Sequence, residues 1–272
     1  MRIAILADIH GNIPAFEAAL THCRAQTPDL IILAGDVVNA GPDSRDCWQL
    51  AKTLNCPIIR GNHERYVARY GTPLAPPEWS TERFGPVRWS YQQMSQSERS
   101  ELEALPLSWS SAEVPDIYFC HSSARNDADL IAPYTPVSEL DAMFPQIEAQ
   151  LVIRGHNHAP AVHLWGERKI VTSGSVGLTL DGIPTAQYVL ITNRNGGWVV
   201  EHQSVPYDVD AAVQRFVDSG YLAEAGPMAR LFHREVATAS FQVVPFMRMY
   251  ERWLAECDIT LADAVSRFLG CP

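Results

Sequence analysis

Apolar and polar positions near the N-terminus fall into blocks whose period changes. Residues 2–7 are a short apolar run suited to a buried strand, and residues 13–25 place Phe16, Ala19, Leu20 and Cys23 on one face at helical spacing. A second apolar run covers 30–34, a second helical pattern 44–54, and a third short run 57–60. This strand–helix–strand–helix–strand order predicts a parallel-type central sheet with helices on its faces.

Between residues 70 and 115 the pattern loosens. Pro73, Pro76 and Pro77 open the stretch, and 80–94 and 97–105 carry helical spacing. The stretch 71–114 reads as a helical, cap-like insertion or side wall. Strand-like runs resume at 117–120 and 151–154, and two more strands fit within 161–172. A last pair, 186–191 and 198–204, is joined by Asn195-Gly196-Gly197, a hairpin-turn string. From Asp208 the chain turns helical, best at 208–219, 246–256 and 261–268. The expected organisation is one domain over 1–205 and a helical C-terminal extension over 206–272. The extension carries no chemical motif and is expected to pack on the domain or on a partner chain, where it offers a route to a homodimer.

Composition narrows the class. The 272 residues are 47% apolar and 19% charged, an ordinary globular balance able to bury a sizeable core. A formal charge of -10 repels a nucleic-acid backbone and argues against broad electrostatic binding to DNA or RNA. Cys23, Cys47, Cys56, Cys120, Cys257 and Cys271 form no CxxC pair, which fits a reducing compartment. The N-terminal run meets Asp8 too soon for a signal peptide, and no apolar run approaches the ~18 residues of a membrane span. The expectation is a cytoplasmic protein without a membrane anchor.

Five short strings carry the candidate chemistry: Asp8-Ile9-His10, Gly35-Asp36, Gly61-Asn62-His63-Glu64, His121 and Gly155-His156-Asn157-His158. Each follows a strand-like run, and the carboxyl ends of strands in an α/β sheet share the edge where ligands bind. If the backbone stays extended, Asp8 and His10 project to one side, as do His156 and His158, while Cys120 points away from His121. Five of the nine histidines fall in these strings. Burying so many polar and charged groups together is costly without cations to hold them. Imidazole with carboxylate suits Mn, Fe or Zn rather than Ca.

Assembled in order, these strings resemble the pattern of the calcineurin-like metallophosphoesterase superfamily, over roughly residues 1–205. The resemblance implies an α/β fold of four layers, an α/β/β/α sandwich with two facing sheets. It implies two divalent ions, one held by Asp8, His10 and His158, the other by Asn62, His121 and His156, with Asp36 bridging both. It also implies hydrolysis of phosphodiesters or phosphomonoesters by a metal-bridging hydroxide, with His63 beside the leaving group and Glu64 orienting rather than ligating. Gly35-Asp36-Val37-Val38-Asn39-Ala40-Gly41-Pro42 is similar to the bacterial phosphodiesterase-type branch. Protein serine/threonine phosphatases and dinucleoside polyphosphate hydrolases, the alternative activities, carry an Arg where Asn39 and Ala40 stand. A non-catalytic scaffold of this fold would have lost ligands, and here all seven remain. The expected substrate is a small phosphorylated molecule, a nucleotide among the candidates. Arg65 and Arg125 are the candidate phosphate contacts. Trp79, Trp89 and Trp109 read as packing residues, with a stacking surface as the alternative.

Overall fold

The computed structural model describes residues 1–270; Cys271 lies outside them. The N-terminal half runs β1 (Arg2–Leu6), α1 (Ile13–Ala25), β2 (Leu30–Leu33), α2 (Ser44–Thr53), α3 (Asn62–Arg69), two short 3-10 turns, α4 (Gly85–Gln93), α5 (Gln96–Ala104), β3 (Ser108–Trp109) and β4 (Ile117–Cys120). Then follow α6 (Val137–Met143), β5 (Leu151–Arg154), β6 (Ala161–Trp165), β7 (Arg168–Thr172), β8 (Ala186–Arg194) and β9 (Gly197–Val205). The remainder is helical: α7 (Val209–Asp218), α8 (Tyr221–Glu224), α9 (Ala229–Thr238), α10 (Val243–Glu256) and α11 (Leu261–Leu269).

The strands form a four-stranded sheet, ordered β2-β1-β8-β9, and a five-stranded sheet, ordered β3-β4-β5-β7-β6. The two-residue period of each strand sorts its side chains between layers. Ile3, Ile5 and Ala7 meet Ile117, Phe119, Ile153 and Val171 in the core between the sheets. Ala4 and Leu6, on the opposite face of β1, pack on Phe16, Ala19 and Leu20 of α1. Cys120, Val152 and Ile170 face outward from the second sheet onto Leu140 and Met143 of α6. The result is the expected α/β/β/α sandwich. Asn195 (φ 53°) and Gly196 (φ 83°) close the β8–β9 hairpin, whose register pairs Arg194 with Gly197. Positive φ at both loop positions marks a type I′ turn.

Three expectations need correction. The first sheet is mixed: β1 and β2 are parallel, but β8 and β9 are antiparallel. The run 57–60 makes only one parallel bridge, Leu33 to Ile58. Pro57 has no N–H to donate, and the Arg60 amide turns away to the Pro106 carbonyl. Third, 71–114 does not cap the ligand strings. Val87, Met94 and Leu102 of α4 and α5 join the core beneath α1 and α2, and the stretch ends in β3 at the edge of the second sheet. Its tryptophans are packing residues: Trp79 stacks on Phe84, Trp89 donates to the Pro42 carbonyl, and Trp109 lies on Phe119.

The C-terminal extension packs on the domain. Arg215 of α7 forks onto Asp43 at 2.6 and 2.5 Å, and the Tyr221 hydroxyl donates to the Ala40 carbonyl at 2.7 Å. Beyond them, Leu231, Phe246, Tyr250, Trp253, Leu261 and Val265 make a small core of their own. Among the described residues, no helix is long and apolar enough to cross a membrane.

Candidate metal centre

The backbone beneath the five strings is not extended. Asp8, His10, Asp36, His156 and His158 have φ of 57°, 51°, 54°, 70° and 60°. Three of the five strings thus turn through the left-handed region, which Asp and His tolerate better than β-branched residues do, whereas Gly61 is extended ahead of α3. The pairing of residues 8 with 10 and 156 with 158 therefore arises from turns, not from the alternation of a strand. Such positions each cost roughly 1–3 kcal/mol and persist only where the surroundings over-determine them.

Those surroundings are visible. The amides of Asp8, His10 and Gly11 donate to the carbonyls of Gly35, Asp36 and Val37 at 3.0, 2.9 and 3.1 Å, lacing the first two strings together. The Ser175 hydroxyl and the Gly177 amide hold the Asp8 carbonyl at 2.7 and 2.9 Å. Fully buried Glu64 accepts from the amides of Asp36 (2.8 Å), Gly61 (2.8 Å) and Val37 (2.7 Å). It orients the second and third strings. A Cβ at Gly61 would sit 2.1 Å from Asp36 Oδ1, so the approach of these loops requires glycine there.

The side chains converge. Ligand atoms of Asp8, His10 and His158 lie within 4.8 Å of one another, as do those of Asp36, His121 and His156, and those of His10, Asp36 and His63. Asp36 is central: its Oδ2 lies 3.7 Å from His10 Nε2 and 3.3 Å from His121 Nε2. Asn62 Oδ1 lies 3.1 Å from His121 Nε2. His121 Nδ1 meets the Ala34 carbonyl and His158 Nδ1 the Leu178 carbonyl, each at 2.8 Å. Those bonds fix the tautomers and leave both Nε2 lone pairs facing the cluster, an arrangement typical of ligating histidines.

Electrostatics test whether cations fit. Burial pushes the Asp8 carboxyl up to about 8, with His121 opposing and Asp36 adding to the rise. Burial, with His63 and His158 nearby, holds His10 well below its usual range. Burial also lowers His156 to about 2 and His158 to about 4. At His121 burial disfavours the charge, but the Asp36 carboxylate outweighs it and lifts the ring to about 9. Burial likewise disfavours the Asp36 charge, yet His121 and His63 hold its carboxyl well below the ordinary range. His10 Nε2 and His158 Nε2 stand 3.0 Å apart, a gap that a shared proton or a shared cation must occupy. Divalent cations favour carboxylates ionised and imidazoles neutral, and so relieve this competition. The donor set fits such ions.

Two candidate substrate contacts are paired with carboxylates. Arg65 forks onto Asp127 at 2.7 and 2.8 Å, and Arg125 onto Asp129 at 2.9 and 2.8 Å. Neither lines the cavity over the cluster.

Two features escaped the sequence. Asn39 Nδ2 lies 2.9 Å from His63 Nδ1, and an amide nitrogen can only donate. His63 therefore carries its own proton on Nε2, 4.0 Å from Asp36 Oδ2. The Gly-Asp-Val-Val-Asn spacing was the available signal. The second feature is the wall of the cavity, which comes from Phe232, Glu235, Phe241, Val243 and Val244 of the C-terminal extension. Nothing local in the sequence marks those positions.

The sequence model of the family described as calcineurin-like phosphoesterase matches residues 1–160. An uncharacterized protein of Methanocaldococcus jannaschii is 26% identical over 233 residues, spanning 79% of this chain and 91% of the relative. A crystal structure of a metallophosphoesterase from Sphaerobacter thermophilus superimposes with a TM-score of 0.70 at 24% identity, covering 88% of this chain and 100% of that one. A hypothetical protein from Pyrococcus horikoshii does so with a TM-score of 0.69 at 20% identity, covering 84% and 97%.

Proposed function

The chain belongs to the calcineurin-like phosphoesterase family, and from that premise we propose that it is a two-metal hydrolase of phosphodiesters or phosphomonoesters. The observation that carries the reading is the position of Asp36 Oδ2, within 3.7 Å of His10 Nε2 and 3.3 Å of His121 Nε2, between two sets of ligand atoms. Asp8, His10 and His158 would hold one ion, Asn62, His121 and His156 the other, and Asp36 would serve both. Divalent ions at these positions supply a water acidified from a pKa of ~15.7 toward ~7 and offset charge on the phosphoryl oxygens. Mn, Fe and Zn all suit the donor set.

The protein's own groups supply the rest. Asp36 Oδ1 accepts from the His63 amide at 2.8 Å, which fixes the start of α3 and the direction of the imidazole. Asn39 donates to Nδ1 of that ring, so the Nε2–H faces the cavity, placed to hydrogen-bond a leaving oxygen while that oxygen takes its proton from water. Burial lowers the pKa of His63, which favours the neutral imidazole that this pairing requires. Leu178 and Leu180 border the floor and limit the water that reaches it.

The test is elemental analysis of the purified protein followed by hydrolysis of bis-nitrophenyl phosphate, nitrophenyl phosphate and a phosphopeptide with added Mn²⁺. The reading expects close to two ions per chain and turnover of the small esters that disappears on chelation. Full turnover in a metal-stripped sample would sink it. Preference for the phosphopeptide would shift the assignment to a protein phosphatase on the same residues.

A further inference from the structure

The cavity over the ligand cluster has two unlike halves. Its floor holds His10, Asp36, Asn62, His63, His156 and His158; its wall is apolar, with Leu178, Leu180, Phe232, Phe241, Val243 and Val244. A volume of about 430 Å³ suits a small organic molecule. Among the described residues, no lysine or arginine lines it. The guanidinium groups of Arg65 and Arg125 are paired with Asp127 and Asp129, outside the lining.

A single carboxylate, Glu235 of α9, stands in the wall and is only 3% exposed. Its Oε1 accepts from the amides of Gln242 and Val243 at 2.8 and 2.9 Å, tying down the start of α10. Among the described residues its Oε2 has no hydrogen-bond partner, and it is not sealed from solvent. A ligand that displaces water from such an acceptor must supply a donor in its place or lose affinity.

We propose that the site takes a compact ester bearing one phosphoryl group, whose organic part is apolar next to phosphorus and carries a hydroxyl or ammonium that donates to Glu235 Oε2. The inference rests on the phosphoesterase reading and narrows its substrate. The phosphoryl charge is met by the floor, and a second or third phosphate would enter a wall that offers a carboxylate and no cation. The apolar side chains gain by covering hydrocarbon or a ring. Burial raises the Glu235 carboxyl to about 7, so Oε2 acts as an acceptor above that pH, where the comparison below is made.

The test compares phenyl phosphate with its 4-hydroxymethyl and 4-aminomethyl derivatives, and with ADP and ATP, on the Mn²⁺-loaded protein. A hydrogen bond to a buried carboxylate corresponds to about a tenfold gain in kcat/KM for the donor-bearing esters over phenyl phosphate. ADP and ATP should fall below phenyl phosphate. Glu235→Gln keeps an oxygen for the two amides of α10, and it should bring the derivative-to-parent ratio close to one. Val244→Arg, at a half-exposed position on the rim, should raise the ADP-to-phenyl phosphate ratio. The inference is overturned if nucleotides are turned over as well as phenyl phosphate, if the donor confers no advantage, or if both variants leave these ratios where they were. Absence of hydrolysis of every ester with Mn²⁺, Fe²⁺ and Zn²⁺ would instead remove the phosphoesterase reading itself, and this inference with it.

Discussion

The floor and the wall of the cavity are built by opposite means. On the floor, five of the seven candidate ligands sit at positive φ, and the backbone around them is laced loop to loop. The wall is ordinary helical packing, in which Phe232, Val243 and Val244 lie on α9 and α10 without unusual backbone. Chemistry demands fixed positions for a few polar atoms, and strain is the means of holding them. Shape and polarity for a substrate need only side chains on a stable surface. The floor should therefore tolerate almost no change, whereas the wall should accept changes that alter preference.

The sharpest break falls on the floor. Asp36→Asn should lose both ions and more than about 10⁴-fold in kcat, beyond the loss of an acid catalyst alone; elemental analysis alongside turnover checks it, and full metal content with full rate would contradict the shared position of Asp36. His63→Ala should keep its metal and lose about 10²–10⁴-fold, with the defect shrinking as the leaving group improves from an alkoxide to nitrophenolate. An equal loss on both kinds of ester would remove its role as a hydrogen-bond donor to the leaving oxygen.

Changes in the wall should alter preference, as the ester comparison above reads, and at Glu235 they should also alter stability. The Glu235 carboxyl titrates at about 7 in the fold against 4.5 unperturbed, chiefly through burial. The folded chain then binds a proton more tightly than the unfolded chain, so stability falls as pH rises from 4.5 to about 7, by about 3 kcal/mol from this group. Glu235→Gln removes that slope, and its stability relative to the unmodified protein should climb with pH across that window in paired urea titrations. A parallel pH profile for the two proteins would contradict it. The smallest effect belongs to the joint between the regions: Arg215→Ala, which breaks the partly exposed fork onto Asp43, should cost about 1 kcal/mol. A double-mutant cycle with Asp43→Asn isolates the pair.

Legibility in the sequence follows the same division. Asp8, His10, Asp36, Asn62, His121, His156 and His158 were legible as candidates because each lies in a short string at the end of an apolar run, although those runs belong to two facing sheets rather than to one edge. The route by which they reach one another was misread, since the left-handed turns at residues 8, 10, 156 and 158 leave no mark on hydrophobic periodicity. Pro57 hid the weakness of the third run, because a short apolar stretch reads as a strand whether or not a partner exists. Glu235 could not be found from its neighbours. Its burial depends on α9 returning to the floor across more than 170 residues of intervening chain from Asn62, and an amphipathic helix does not announce what its inner face covers. The pairing of Arg65 and Arg125 was hidden for the same reason: the aspartates they meet, Asp127 and Asp129, have no signature of their own.

The lacing of the first two strings bears on how metals enter. Carbonyl–amide contacts between residues 8–11 and 35–37, with Glu64 beneath, set the ligand frame by protein bonds alone. Under the two-metal reading, loading would then be a docking event on a standing scaffold rather than a folding transition. Such a socket would select by affinity order among first-row metals, so the occupant of a preparation would reflect supply in the medium as much as design in the protein.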